Sequence, residues 1–305
     1  MRNAFAKEIE NLAQKDERVV LLMGDIGNRL FNDFQAKFPS RFFNAGIAEA
    51  NMITVAAGMA SEGLRPYCYT IAPFVTARCY EQIKVDLGYH HQPVVLVGTG
   101  AGLSYAALGG THHSLEDIAL MQSIPDMNIL CPGDVPELVG LLPLTLKSSS
   151  ATYLRLGKKG EPQVHKDPPQ LIIGKAFVIE EGTDICLLNT GNMLAISKEV
   201  AARLKSKGNS VELASVHSIR PMDVNYLTDA FKQFKMVVTI EEHQRFGGLG
   251  TMAAEIKADQ DLSNCKLLRF SAPNKFYHTT SNQSEAREQL ELSSELIFNK
   301  ITDNL

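Results

Sequence analysis

The chain has 305 residues, 45% of them hydrophobic and 21% charged, with a formal net charge of −4. That length suits two ordinary domains, that balance suits a globular protein, and that charge gives no reason to expect nucleic acid or an anionic membrane as partner. Five cysteines (Cys68, Cys79, Cys131, Cys186 and Cys265) are odd in number and form no Cys-x-x-Cys pair, so neither a disulfide framework nor a zinc site is expected. They fit buried thiols in a reducing compartment, and a cytoplasmic location is expected. No apolar run reaches the roughly 18 residues of a membrane-spanning helix, and the N-terminus lacks a signal-peptide core.

In chain order, residues 3–15 read as an amphipathic helix. Residues 18–23 read as a buried strand ending in Gly24-Asp25-Ile26-Gly27. A helix over 32–38 leads to a short aromatic strand at 41–43. Residues 44–60, Asn-Ala-Gly-Ile-Ala-Glu-Ala-Asn-Met-Ile-Thr-Val-Ala-Ala-Gly-Met-Ala, then read as a helix with small or apolar residues on nearly every side. Such a helix is expected to be buried all round. Next come a strand at 65–71, a helix at 74–89, a strand at 92–97 and a loop rich in Gly and Ser to Gly110. A helix at 116–122, a strand at 127–130, a helix at 135–146 opened by Asp134, and a strand at 152–155 complete the first block. Alternation of strand and helix predicts a mostly parallel sheet covered on both faces.

The pattern lapses at Gly157, and residues 158–170 read as a linker between a first domain at 1–157 and a second at 171–305. The second block alternates again, with strands at 184–188, 210–214, 236–240 and 266–270. Its helices fall at 193–207, 224–234 and 251–258, with an acidic helix at the C-terminus. The fold class is therefore α/β, as two three-layer α/β/α domains.

Several segments invite a chemical reading. Glu49 stands in the first turn of its helix, sharing a face with Ile53 and Ala57. It is either a structural acid satisfied by the free N–H groups of that turn, or a desolvated carboxyl that exchanges a proton with a bound nitrogen heterocycle. The run Gly98-Thr-Gly-Ala-Gly-Leu103 lacks the third glycine of a dinucleotide turn, and no phosphate-loop lysine follows a glycine pattern. Gly102-Leu-Ser104-Tyr-Ala106 falls one glycine short of a hydrolase elbow. His112 and His113 with Glu116 lack a third convergent metal ligand.

The wording of residues 44–60 closely resembles the pyrimidine-binding domain of the transketolase family of thiamine diphosphate enzymes. The resemblance implies that Glu49 hydrogen-bonds a ring nitrogen of the cofactor's aminopyrimidine. That contact favours the imino tautomer that deprotonates the thiazolium carbon. By the same resemblance Phe74 and Tyr80 pack around the aminopyrimidine, with Ala77 in the place of an aromatic residue. Ile26, after Asp25, supports the bent cofactor. Gly110-Thr-His-His-Ser-Leu-Glu resembles the family segment in which His112 faces the cofactor and assists proton transfers on the substrate. Arg2 and Arg155 match arginines that clamp a sugar phosphate. A phosphate-binding His of the family falls at Gly100 and an acceptor-reading Asp at Leu108, which points to a less polar or unphosphorylated acceptor. Arg220-Pro-Met-Asp and residues 238–250 resemble the family's non-catalytic C-terminal domain.

The diphosphate-binding domain of such enzymes, with its Gly-Asp-Gly motif and Mg²⁺ or Ca²⁺, has no counterpart in these residues. The resemblance therefore implies the C-terminal subunit of a split transketolase. Such a subunit works in an α2β2 heterotetramer with a separate N-terminal diphosphate-binding subunit that holds the metal. It would transfer a two-carbon ketol unit from a ketose to an aldose, either of them a sugar or a sugar phosphate. Alternatives are the beta subunit of a 2-oxoacid dehydrogenase's decarboxylating component, part of a deoxyxylulose-phosphate synthase, or a catalytically silent scaffold.

Overall fold

The computed structural model describes residues 1–27 and 29–305. Twelve strands are assigned among them: β1 (Val19–Met23), β2 (Phe42–Asn44), β3 (Arg65–Ile71), β4 (Val95–Thr99), β5 (Asn128–Leu130), β6 (Thr152–Leu156), β7 (Phe177–Glu180), β8 (Ile185–Asn189), β9 (Val211–Ser215), β10 (Ser218–Arg220), β11 (Met236–Gln244) and β12 (Lys266–Ala272). They form two sheets. The first has seven strands in the order β10-β5-β6-β4-β3-β1-β2, parallel throughout except where β10 meets β5. The second has five, β12-β11-β8-β9-β7, with β7 antiparallel to β9. β1, β4, β6 and β8 are buried along their whole length, as continuous apolar strands must be when helices cover both faces.

β10 is not legible as a strand, because its three residues carry no period of their own. It runs from the second half of the chain into the first sheet, where Ser218 pairs with Leu130 and Arg220 with Ile129. Residues 157–176 carry neither helix nor strand, yet they are pinned. The N-terminal amine bonds Glu161 at 2.5 Å, and His165 bonds the buried Asp134.

Two predicted helices differ. The 74–89 segment is broken into a turn of helix at Ala72–Val75, a short piece at Tyr80–Gln82 and a wider-pitched π turn at Ile83–Tyr89. Pro73 opens the first piece, and Gly88 lies so close to Ile124 that a Cβ would sit 2.7 Å from it. The central helix runs Glu49–Ser61 and is not buried all round. Asn51, Thr54, Val55, Gly58 and Ser61 are exposed, while Met52, Ile53, Ala56, Ala57 and Ala60 enter the core. The small residues that read as core on both sides thus leave one face uncovered.

In the first sheet the chain moves from β1 outward to β2, then crosses back to β3 on the other side of β1. The carboxyl ends of β1 and β3 therefore bound a crevice at a topological switch point, the place where open α/β sheets bind ligands.

Candidate active site

Glu49, only 3% exposed, sits at that crevice. It is placed there by the turn from β2, in which Ala45 N donates to Met23 O and Asp25 N to Gly46 O. Gly46 takes a positive φ of 69° that only glycine adopts without strain. At Gly24 a Cβ would lie 3.0 Å from the Thr70 hydroxyl and 3.6 Å from Glu49 Oε1, so β1 must pass the site bare. The Thr70 hydroxyl is fully buried and has no partner. A buried polar atom without a partner costs free energy, so an unpaired hydroxyl beside a buried carboxylate marks a place where a polar ligand completes the bonding.

The Glu49 carboxylate is met by a cation and not by its own helix: Arg78 Nη1 donates to Oε2 at 2.7 Å. The arginine is half exposed and lies 4.3 Å above the centre of the Phe74 ring. Cys79 is packed beside them, and burial, with Glu49 adding to it, pushes its thiol up to about 12. Phe74 in turn meets His112 edge-on at 5.2 Å between centroids, and His112 meets Tyr105 at 6.1 Å. Glu49, Arg78, Phe74, His112 and Tyr105 therefore form one continuous rim over the ends of β2, β3 and β4.

His112 is half buried, with Nδ1 2.9 Å from the Thr111 hydroxyl. Burial, and then the neighbouring His113, holds its pKa below the ordinary value, so the ring is neutral at pH 7 and can donate or accept. His113 turns the other way, into a buried contact with Ala106 O and the Tyr277 ring. Among the described residues no three His, Cys, Asp or Glu side chains converge as a metal cluster.

The remaining expected residues divide. Tyr80 is half buried, and its hydroxyl is tied to Ser123 at 2.7 Å. Asp25 and Ile26 follow β1 and line a cavity of about 530 Å³ on the β1–β2 side, where Asn44 donates to Asp25 at 3.3 Å. Arg2 stands on the opposite side of the rim. Its backbone N–H bonds Lys158 O, its Nε is buried without a partner, and its charge is felt at the Tyr69 hydroxyl alongside Tyr105.

Arg155 departs from the expectation of a phosphate clamp. It is 2% exposed and fully engaged inside the protein: Nε donates to Asp117 at 2.7 Å, and Nη2 donates to Ser114 O at 3.1 Å and Glu242 O at 2.9 Å. It lies within β6, where neighbouring strands and the second domain enclose it. The cation that does reach the rim is three residues further on. Lys158 Nζ stands 4.8 Å from the centre of the Tyr105 ring. In the sequence it passes for a solvated linker lysine; its place just past the end of a parallel strand is the signal that could have found it.

Two further features explain the departures at Gly100 and Leu108. A Cβ at Gly100 would collide with the Tyr105 ring at 1.9 Å, so the space of a side chain at 100 is taken by tyrosine. Leu108 is 54% exposed and offers the site an apolar surface. The loop carrying Tyr105 and His112 is gripped from the second domain. Glu242 Oε1 accepts from Leu103 N at 2.7 Å, Gln244 N donates to Leu115 O at 2.7 Å, and Gly102 packs on the Glu242 side chain.

Known proteins share this arrangement. Residues 1–162 match the family described as the pyrimidine binding domain of transketolase, and residues 174–291 the one described as the transketolase C-terminal domain. One of the two chains of the apulose-4-phosphate transketolase of Phocaeicola vulgatus is 34% identical over 256 residues, 83% of this chain and 82% of that one. A chain of the 6-deoxy-6-sulfo-D-fructose transketolase of a Clostridium species is 32% identical over 256 residues, 84% of this chain and 80% of the other. Among solved structures, a split-gene transketolase in an inactive beta4 tetramer superposes with a TM-score of 0.88 at 28% identity, covering 99% of this chain and 96% of that one.

Proposed function

The chain belongs to the transketolase family, in the C-terminal-subunit form of a split enzyme, and from that premise we propose that it supplies the pyrimidine half of a thiamine diphosphate site completed by a second, diphosphate-binding subunit. The observation that carries this reading is the buried Glu49 carboxylate beside the unpartnered Thr70 hydroxyl at the β1–β3 switch point. Those donors fit a nitrogen heterocycle: one acid to exchange a proton with a ring nitrogen, one hydroxyl to meet a polar edge, and Phe74 with Tyr80 to cover its faces. When bound, the cofactor supplies the carbon nucleophile and the electron sink for ketol transfer.

The work of this chain is to bind, orient and move protons. Glu49 holds the proton that the pyrimidine ring nitrogen takes up, in a pocket from which water is excluded. Arg78 occupies the carboxylate meanwhile, and its half-exposed position lets it turn to solvent when a ring takes its place. His112, neutral at pH 7, accepts and returns a proton at the substrate hydroxyl. Phe74 and Tyr105 hold its ring between them. Arg2 and Lys158 attract an anionic end of the acceptor, while Leu108 and Tyr105 favour an acceptor with fewer hydroxyls in its middle.

The exposed face of helix Glu49–Ser61, continued by Val85 and Tyr89, is where the diphosphate-binding subunit docks. It lies directly behind Glu49, so docking there completes the crevice. The metal, Mg²⁺ or Ca²⁺, belongs to that partner, and the assembly is α2β2. The related beta4 tetramer described as inactive agrees with a subunit that needs its partner.

Co-purification with a diphosphate-binding transketolase subunit tests this. Ketol transfer from a ketose to an aldose is expected from the pair with thiamine diphosphate, and from neither subunit alone. A pair that assembles and binds the cofactor but moves no ketol group would overturn the reading.

A further inference from the structure

A second cavity lies on the far domain, past the carboxyl ends of β11 and β12. Its volume is about 610 Å³, within the range of small-molecule sites. Arg245, Arg269 and Lys275 all line it. The acids nearby are already committed: Glu291 is paired with Lys300, and Glu241 accepts from Leu249 N and Gly250 N at 2.8 Å each. Arg269 makes one long bond, at 3.4 Å, to Gly250 O. Burial and then the charge of Arg245 hold its pKa below the ordinary value, with Glu241 opposing. Like charges held together at a half-buried place raise the free energy of the empty cavity, and an anion relieves it. The remaining wall is apolar, built from Leu268, Phe270 and Pro273.

We infer that this cavity binds a nucleoside phosphate, its phosphate group on Arg245, Arg269 and Lys275 and its base against Phe270 and Pro273. The forked guanidinium suits a phosphate and the apolar wall suits a planar base. The whole chain carries net negative charge, so general attraction for anions does not supply such binding. The site is independent of the cofactor crevice, and neither needs the other to be right.

The test is calorimetric titration of the purified full chain with ADP and with inorganic phosphate. It is repeated on Arg245→Gln, on Arg269→Gln and on an Arg2→Gln/Lys158→Gln double variant. Saturable ADP binding is expected, about tenfold or more tighter than phosphate, weakened about tenfold by either single variant and unchanged by the double variant. Arg245 is exposed, so Arg245→Gln carries the test if Arg269→Gln does not fold. Absence of saturable ADP binding, equal affinity for phosphate, or binding that the Arg245 change leaves intact would each overturn the inference.

Discussion

Arg155→Met separates a structural arginine from a substrate clamp, and the structure sets the size of its effect. The guanidinium neutralises Asp117, which is 0% exposed, and satisfies two carbonyls from separate parts of the chain. Burial alone raises the pKa of Asp117; Arg155, and less strongly His243, outweighs it and holds the carboxyl below its ordinary value. Methionine fills most of the volume but leaves the carboxylate with only Tyr153 as a donor from a side chain. Breaking a buried pair by removing one partner costs about 3–5 kcal/mol, which for a chain of this size lowers Tm by roughly 6–10 °C. A second substitution, Asp117→Leu, is expected to restore most of that loss, because replacing both charges removes the desolvation penalty as well. Urea denaturation of the single and double variants, read by circular dichroism, supplies the cycle. An Arg155→Met protein as stable as the parent would refute the reasoning and return the arginine to the substrate.

Other outcomes follow from the same geometry. Lys158→Met in the reconstituted complex should raise KM for an anionic acceptor about 10–100-fold, as loss of one charge-assisted contact does, and leave an uncharged acceptor unaffected; steady-state kinetics with both acceptors decides it. Val55→Glu, on the exposed face of helix Glu49–Ser61, should abolish association with the diphosphate-binding subunit at unchanged stability, which size-exclusion chromatography reads. His217 is buried with both ring nitrogens unpartnered, and burial pushes its pKa down to about 4. The unfolded chain takes up that proton below about pH 6.5, so the group withdraws stability as pH falls from there towards 4. His217→Leu should therefore stabilise the protein, and more at pH 5 than at pH 7.5; an equal gain at both would contradict the linkage.

Strands such as Val19–Met23 are legible because a parallel sheet demands unbroken apolar runs, and the helix after Asp134 because its carboxylate caps Glu137 N at 3.0 Å. Glu49 can be read from the words around it. Its partner cannot: Arg78 is 29 residues away, and only the fold brings them to 2.7 Å. The exposed face of the central helix is hidden by composition, since Thr, Val, Ala and Gly serve a core and an interface alike. The exchange of Arg155 for Lys158 has a similar origin. Chemical type favours the arginine, whereas position along the strand decides which side chain emerges at the crevice. The grip of Glu242 on the Leu103 loop, across 139 residues, has no local signal at all.

The direct measurement is ketol transfer by the reconstituted, cofactor-loaded complex carrying Glu49→Gln. An amide keeps the shape but cannot exchange the proton, so activity should fall by about 100–10,000-fold while the two subunits still co-elute. A complex that retains activity within a few-fold of the parent would show that the sheltered carboxylate at the β1–β3 crevice does not drive the reaction.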